Sequence, residues 1–169
     1  MKIDLLSSQY KVTPLEEKDI PQIFQLCQGN PLFYQYCPPE LSTEGIRSAM
    51  TALPAGKEVQ DKYYIGFYQD GHLAAVMDFI SSYPDDSNVF IGFFMLAKEM
   101  QHKGLATRII EEACGYWKAC GFKKVRLGYA KGNPQSEGFW LKNRFEKADG
   151  ERTAEGYTIV LMERLLQTG

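Results

Sequence analysis

The sequence predicts an α/β fold in which a mixed sheet carries helices on its faces. Three observations support it. Three apolar runs, "KYYIGFYQ", "HLAAVMDFIS" and "VFIGFFML", follow one another with turn signals between them, as in antiparallel hairpins. A helix-period segment then separates the third run from a further strand, "KKVRLGYA", so one pair must be parallel and joined by a crossover. With 169 residues, 44% hydrophobic and 24% charged, the chain can bury one sizeable core, and a single domain over residues 1–169 is expected.

The elements follow in order. "SQYKVTPL" reads as a short strand ending in Thr13-Pro14. "EEKDIPQIFQLCQGN" reads as a helix with Ile20, Ile23, Phe24 and Cys27 on one face, and Pro21 suits its first turn. Gly29-Asn30-Pro31 stops that helix, and "PLFYQYCPPE" reads as a loop rich in tyrosine and proline. A second helix, "STEGIRSAMTAL", has Ser42 as its N-cap and ends at Pro54-Ala55-Gly56. The three strands come next, with Asp70-Gly71 as a hairpin turn between the first two. The near-continuous apolar character of "VFIGFFML" suggests a central strand covered on both faces.

In the helix "GLATRIIEEACGYWKAC", Leu105, Ile109, Ala113 and Trp117, with Ile110 and Cys114 alongside, form a core stripe that stops at Gly121. "NPQSEGFWLKN" reads as a short helix with Asn133 as N-cap and Pro134 at its first position. "FEKADGER" and "GYTIVLMERL" finish the chain as strands. The predicted order is β-α-α-β-β-β-α-β-α-β-β, a mixed sheet with packed helices.

Net charge is −2 with both signs scattered, and no basic stripe points to nucleic acid. No apolar run is long enough for a signal peptide or a membrane span, so a cytoplasmic protein is expected. The four cysteines have no zinc-like spacing, so no metal is expected and the thiols read as reduced. Among them Cys37, in "YQYCPPE", is the one to test as a nucleophile.

The stretch "EMQHKGLATRII" carries the functional signal. A strand leads into a tight polar loop and then a helix start. The first N–H groups of a helix lack internal partners, and the dipole there is positive, so the arrangement suits an anion. Gly104 permits close backbone approach, Ala106 leaves the amides uncovered, Thr107 adds a hydroxyl, and Lys103 and His102 add positive charge.

Gln101-x-x-Gly104-x-Ala106 resembles the Q/R-x-x-G-x-G/A signature of the GNAT superfamily of acyl-CoA-dependent N-acetyltransferases. "NPQSEGFWLKNRF" resembles that superfamily's N-x-x-A-x-x-F-Y-x-x-x-G-F segment at Asn133, Phe139 and Phe145, and the element order is similar from end to end. The resemblance implies the GNAT fold, with acetyl-CoA as co-substrate and its pantetheine arm in a gap between "VFIGFFML" and "KKVRLGYA". It implies that main-chain groups of Phe94, Met95 and Leu96 hold the arm. Gln101 opens the pyrophosphate loop, and amides from His102, Lys103, Gly104, Leu105, Ala106 and Thr107 hold the diphosphate. Asn133 bonds the arm, and Phe139 and Trp140 pack near its sulfur end; core packing of the same two residues is compatible with that role.

Three positions depart from the family pattern: Ser136 replaces an alanine, Arg144 a glycine and Trp140 the tyrosine that protonates the leaving thiolate. Indole N–H is not a usable acid, but a thiol of pKa about 8.5 leaves without much help.

The implied reaction is direct attack of an amine on the thioester. An aliphatic amine has a pKa of about 10 and must first lose a proton to a base. No acid stands between Val89 and Leu96, so Asp78 in "HLAAVMDFIS" is the candidate base, against the reading of a structural strand acid. Tyr129 is the candidate acid. Tyr34, Tyr36 and Tyr83 are candidates for the acceptor pocket, against simple packing. The preferred acceptor is a primary amine of a small molecule. A protein or peptide amine, and a GNAT-like module that binds acyl-CoA with little catalysis, are the alternatives. The acyl length and a homodimer are left open.

Overall fold

The structure, a computed structural model, describes residues 1–166. One seven-stranded sheet runs β1 (Lys11–Pro14), β2 (Lys62–Gln69), β3 (His72–Ser81), β4 (Asn88–Leu96), β5 (Lys124–Ala130), β7 (Tyr157–Leu165) and β6 (Glu146–Ala154) in spatial order. Five helices complete it: α1 (Ile20–Gln28), α2 (Pro31–Tyr36), α3 (Thr43–Thr51), α4 (Leu105–Ala119) and α5 (Pro134–Lys142). All neighbours are antiparallel except β4 and β5, the parallel pair that α4 connects.

The strands β2 and β3 begin and end where the apolar runs and the Asp70-Gly71 turn put them, with φ +51° and +79° at the two turn residues. Ser42 caps α3 by accepting from the Gly45 amide, and Asn133 caps α5 by accepting from Gln135 and Ser136. Gly121, just past α4, has φ +97°.

The sheet is a filled sandwich. On one face the α4 stripe of Ile109, Ile110, Ala113, Cys114 and Trp117 packs on Ile65, Phe67, Met77, Phe79, Val125 and Leu127. On the other, Ile20, Ile23, Leu26 and Cys27 of α1 and Ile46 of α3 pack on Tyr64, Val76 and Met95. Burying such side chains contributes roughly 1.5–3 kcal/mol each, the main term offsetting chain entropy.

Three expectations are corrected. The segment 31–36, read as loop, is α2: Pro31 sits at the helix start, where its fixed φ helps, rather than simply ending α1. Strand β4 is central but not covered throughout, since Gly92 is exposed and Phe93 and Phe94 are half-exposed. Leu105 is part-exposed at the mouth of a cleft rather than buried in the α4 stripe.

Candidate active site

The site is built by a sheet that does not stay zipped. Strands β4 and β5 pair over only four positions, Asn88↔Lys124 to Ile91↔Leu127. Beyond Ile91, β4 continues alongside β3 to Leu96 while β5 continues alongside β7 to Ala130, so the two diverge. The divergence starts at a bulge. Asp78 pairs with Phe93 and Phe79 with Ile91, which leaves Gly92 as the extra residue in β4. The bulge turns Phe93 toward α2 and leaves Phe94 toward α5. Phe93 meets Phe33 at 5.5 Å between ring centroids, and Phe94 meets Phe139 at 6.1 Å and Trp140 at 6.2 Å.

Two cavities, each of about 280 Å³, open from this divergence. Phe33, Phe94, Asn133, Ser136 and Trp140 line both, so the cavities meet at these residues. The first runs from Phe94, Met95 and Leu96 past Gln101, His102, Gly104, Leu105, Ala106 and Thr107 to Asn133, Phe139 and Trp140. Of the residues named in sequence for the coenzyme, Lys103 alone does not line it.

The loop at its far end is held from behind. Gln101 Nε2 donates to Asn30 Oδ1 at 2.6 Å and to the Leu96 carbonyl at 3.0 Å, and Asn30 Nδ2 donates to Leu26 and Leu96 carbonyls. His102 and Gly104 are left-handed, with φ +62° and +76°. No side chain caps α4, and a Cβ placed on Gly104 would meet nothing within 4 Å. The start of α4 therefore faces open space with its amides free, which fits the diphosphate of a coenzyme A. The β4 backbone beyond Ile91, lacking β5 as partner, fits an extended pantetheine arm beside it.

The second cavity lies between β4, β5, α2 and the β6–β7 hairpin. Gly92, Phe93, Tyr129, Arg152 and Tyr157 are among its walls. Tyr157 lies beside Cys37, also in the wall, and burial pushes its phenol up to about 12. Burial likewise raises the Cys37 thiol. No Asp or Glu lines either cavity, whereas His102, Lys142 and Arg152 do.

The other named residues stand as follows. Asp78 lines neither cavity; it lies one strand behind Gly92, and its carboxylate receives Lys62 Nζ at 3.0 Å on both oxygens. Burial raises its pKa, and Lys62 opposes the shift. Tyr129 lines the second cavity, but its hydroxyl is engaged by Glu137 and Lys147, which line neither. Tyr34 turns its hydroxyl inward to Cys27. Tyr36 packs near Gly132, and Tyr83 packs edge-on against Phe90 at 5.5 Å, one layer behind the second cavity.

Sequence reasoning missed Asn30, Phe33, Gln135, Ser136 and Lys142 in the first cavity and Arg152 and Tyr157 in the second. Phe33 was hidden by the loop reading of α2, whereas Lys142 was accessible as a cation on the last turn of a helix already placed at the site.

Among the described residues, no group of His, Cys, Asp and Glu could hold a metal ion, and no helix is long and apolar enough to cross a membrane.

Comparison with known proteins places these features in a family. No curated protein matches the chain. An acetyltransferase from Thermus thermophilus is 15% identical, with TM-score 0.70 over 91% of this chain and 95% of its own. A PaiA N-acetyltransferase from Thermoplasma acidophilum, solved in complex with coenzyme A, is 18% identical, with TM-score 0.65 over 91% of this chain and 97% of its own. An Escherichia coli N-acetyltransferase of a ribosomal-protein alanine is 15% identical, with TM-score 0.66 over 94% of each chain. These likenesses establish a shared fold. The family model for the acetyltransferase (GNAT) family matches residues 29–145, a span that holds α2, the β4–β5 divergence, the Gln101–Thr107 loop and α5. On that match the chain belongs to the acetyltransferase (GNAT) family.

Proposed function

We propose that the chain moves an acetyl group from acetyl-CoA to a primary amine of a small molecule, by direct attack while both substrates occupy the cleft. Members of the family use acetyl-CoA. The observation that carries the finer reading is the meeting of two cavities at Phe94 and Trp140, one ending at a free helix start and the other enclosed by aromatic walls. Such a layout holds two reactants against each other, which lowers the entropic barrier to reaction.

The chain's own groups have separate tasks. The amides at the start of α4 and the backbone of Phe94, Met95 and Leu96 orient the donor. Asn133, 2% exposed, spends its side-chain oxygen on the first amides of α5 and so fixes the helix that carries Phe139 and Trp140. In the transfer an N–C bond forms as a C–S bond breaks; the amine loses one proton and the thiol gains one. Asp78 is the base of this proposal, acting through a water past the exposed Gly92, and its raised pKa supports that use. Tyr129 is the candidate acid by position. The engagement of its hydroxyl by Glu137 and Lys147 favours departure of the thiol without a dedicated acid.

Calorimetric titration with acetyl-CoA, followed by thiol release against a panel of amines, tests the proposal. Binding with release on a small amine supports it. Release only on peptide or protein amines overturns the small-molecule acceptor. Binding without release on any amine replaces the enzyme with an acyl-CoA-binding module.

A further inference from the structure

We infer that the acceptor amine carries an anionic group, a carboxylate or a phosphate, and that Arg152 receives it. This rests on the acetyltransferase reading of the cleft.

The chain carries 21 acidic residues and a net charge of −2, yet neither cavity wall contains one of them. The second cavity has a single charged residue in its wall, Arg152 on β6. Arg152 pairs with Ile159 across the β6–β7 ladder, and both side chains face the cavity. Its neighbour Glu151 points the other way and takes Lys131 Nζ at 2.9 Å. Among the described residues Arg152 has no ion-pair partner, although it is the kind of group that a nearby carboxylate would ordinarily engage.

The rest of that cavity is largely aromatic and aliphatic, with Tyr129, Tyr157, Cys37, Ser136 and Asn133 carrying its neutral polar groups. The Arg152 guanidinium presents a planar fork suited to two oxygens. A diamine or polyamine would meet this cation with no carboxylate in the wall to offset it. An amine with an anion attached meets it favourably, and the anion then fixes which end of the molecule turns toward Phe94.

The test uses matched acceptors: leucine, its decarboxylated amine 3-methylbutylamine, and the phosphonic acid analogue of leucine, with 1,5-diaminopentane as the cationic control. Acetyl transfer is followed by thiol release. Binding of each acceptor to the protein preloaded with coenzyme A is followed by calorimetry. The wild type is compared with Arg152→Gln and Arg152→Lys; the side chain is exposed on an edge strand, and thermal unfolding checks that both variants fold.

The wild type should favour an anion-bearing acceptor over 3-methylbutylamine by about tenfold or more in both kcat/KM and affinity, the scale of one charge-assisted hydrogen bond. Arg152→Gln should erase the preference without changing coenzyme A affinity, and Arg152→Lys should restore part of it. Preference for leucine identifies the anion as a carboxylate, and preference for the phosphonate identifies it as a phosphate. Equal or better use of the diamine, or equal loss on all acceptors in Arg152→Gln, overturns the inference alone. Failure of the wild type to bind coenzyme A overturns the acetyltransferase reading and this inference with it.

Discussion

Asp78 and Gly92 are in contact across the β3–β4 ladder: a Cβ built on Gly92 would lie 3.1 Å from Asp78 Oδ2. The bulge that opens the cleft is thus backed by a carboxylate, which is held in turn by Lys62. The side chains of Lys62 and Asp78 are 7% and 13% exposed, so a charge left without its partner stays largely desolvated. Asp78→Asn should lower unfolding free energy by about 3 kcal/mol, because it leaves a buried ammonium uncompensated. Denaturant unfolding reads this. The double variant Asp78→Asn with Lys62→Met should recover most of the loss.

Gly104 separates binding from folding. With φ +76° and open space beyond its Cβ position, Gly104→Val costs the fold only backbone strain, about 1–2 kcal/mol. The new side chain projects into the open space before the start of α4, where the proposed function seats the coenzyme. Coenzyme A affinity should fall by about tenfold or more, a loss of at least about 1.4 kcal/mol. Calorimetry on a variant whose melting transition stays cooperative checks the separation, and unchanged affinity would remove Gly104 from the coenzyme site.

Gln101 acts on the loop from behind. Gln101→Ala removes the donations to Asn30 and to the Leu96 carbonyl. The expected cost is about 1 kcal/mol per bond in stability, with weaker coenzyme A binding because the loop is no longer tied to the end of β4. Amide exchange across residues 97–104 should quicken in the free protein.

Acid stability follows Glu111. Hydrogen bonds from Arg164, then the charges of Arg164 and Arg144, hold its carboxyl below the ordinary value. A carboxyl depressed in the folded state adds stability above its unfolded pKa, about 4.3, and loses it as pH falls through the lower folded value. Glu111→Gln should therefore be less stable than the wild type at pH 7, by about 1 kcal/mol after discounting for its partial exposure. The gap should narrow as pH drops toward the depressed value, which thermal melts across an acid series would register.

Arg144 occupies a left-handed conformation, φ +67°, just past the end of α5, where the family pattern has glycine. Arg144→Gly relieves about 1 kcal/mol of backbone strain and loses an exposed ion pair to Glu111 worth less than about 1 kcal/mol. Arg144→Ala keeps the strain and loses the pair. The expected order of melting temperatures is Gly at or above wild type, and wild type above Ala.

Local signals made much of this fold legible. The apolar runs and the Asp70-Gly71 turn located β2 and β3, and the 3.6-residue period located α4. The loop from Gln101 to Thr107 was legible because its chemistry is local, with a glycine, small residues and a helix start adjacent in sequence. The second cavity was not, because its walls come from distant segments. Tyr34 and Phe33 are neighbours in one aromatic run, yet Phe33 lines the cleft and Tyr34 turns in to Cys27. That choice depends on how α2 is rotated, and Pro31 reads equally well as a stop or a start. Arg152 sits in "EKADGERTA", a polar edge strand with no period that sets it apart.

The four rungs between β4 and β5 also have a mechanical meaning. They join a four-stranded plate to a three-stranded one, and α4 is the brace packed across the joint. A tensile load applied across the sheet would part it along this short line, since every other neighbouring pair of long strands has more rungs to share the force. A molecule seated in the gap and touching both plates would act as a wedge bonded on both sides, raising the force at which they separate.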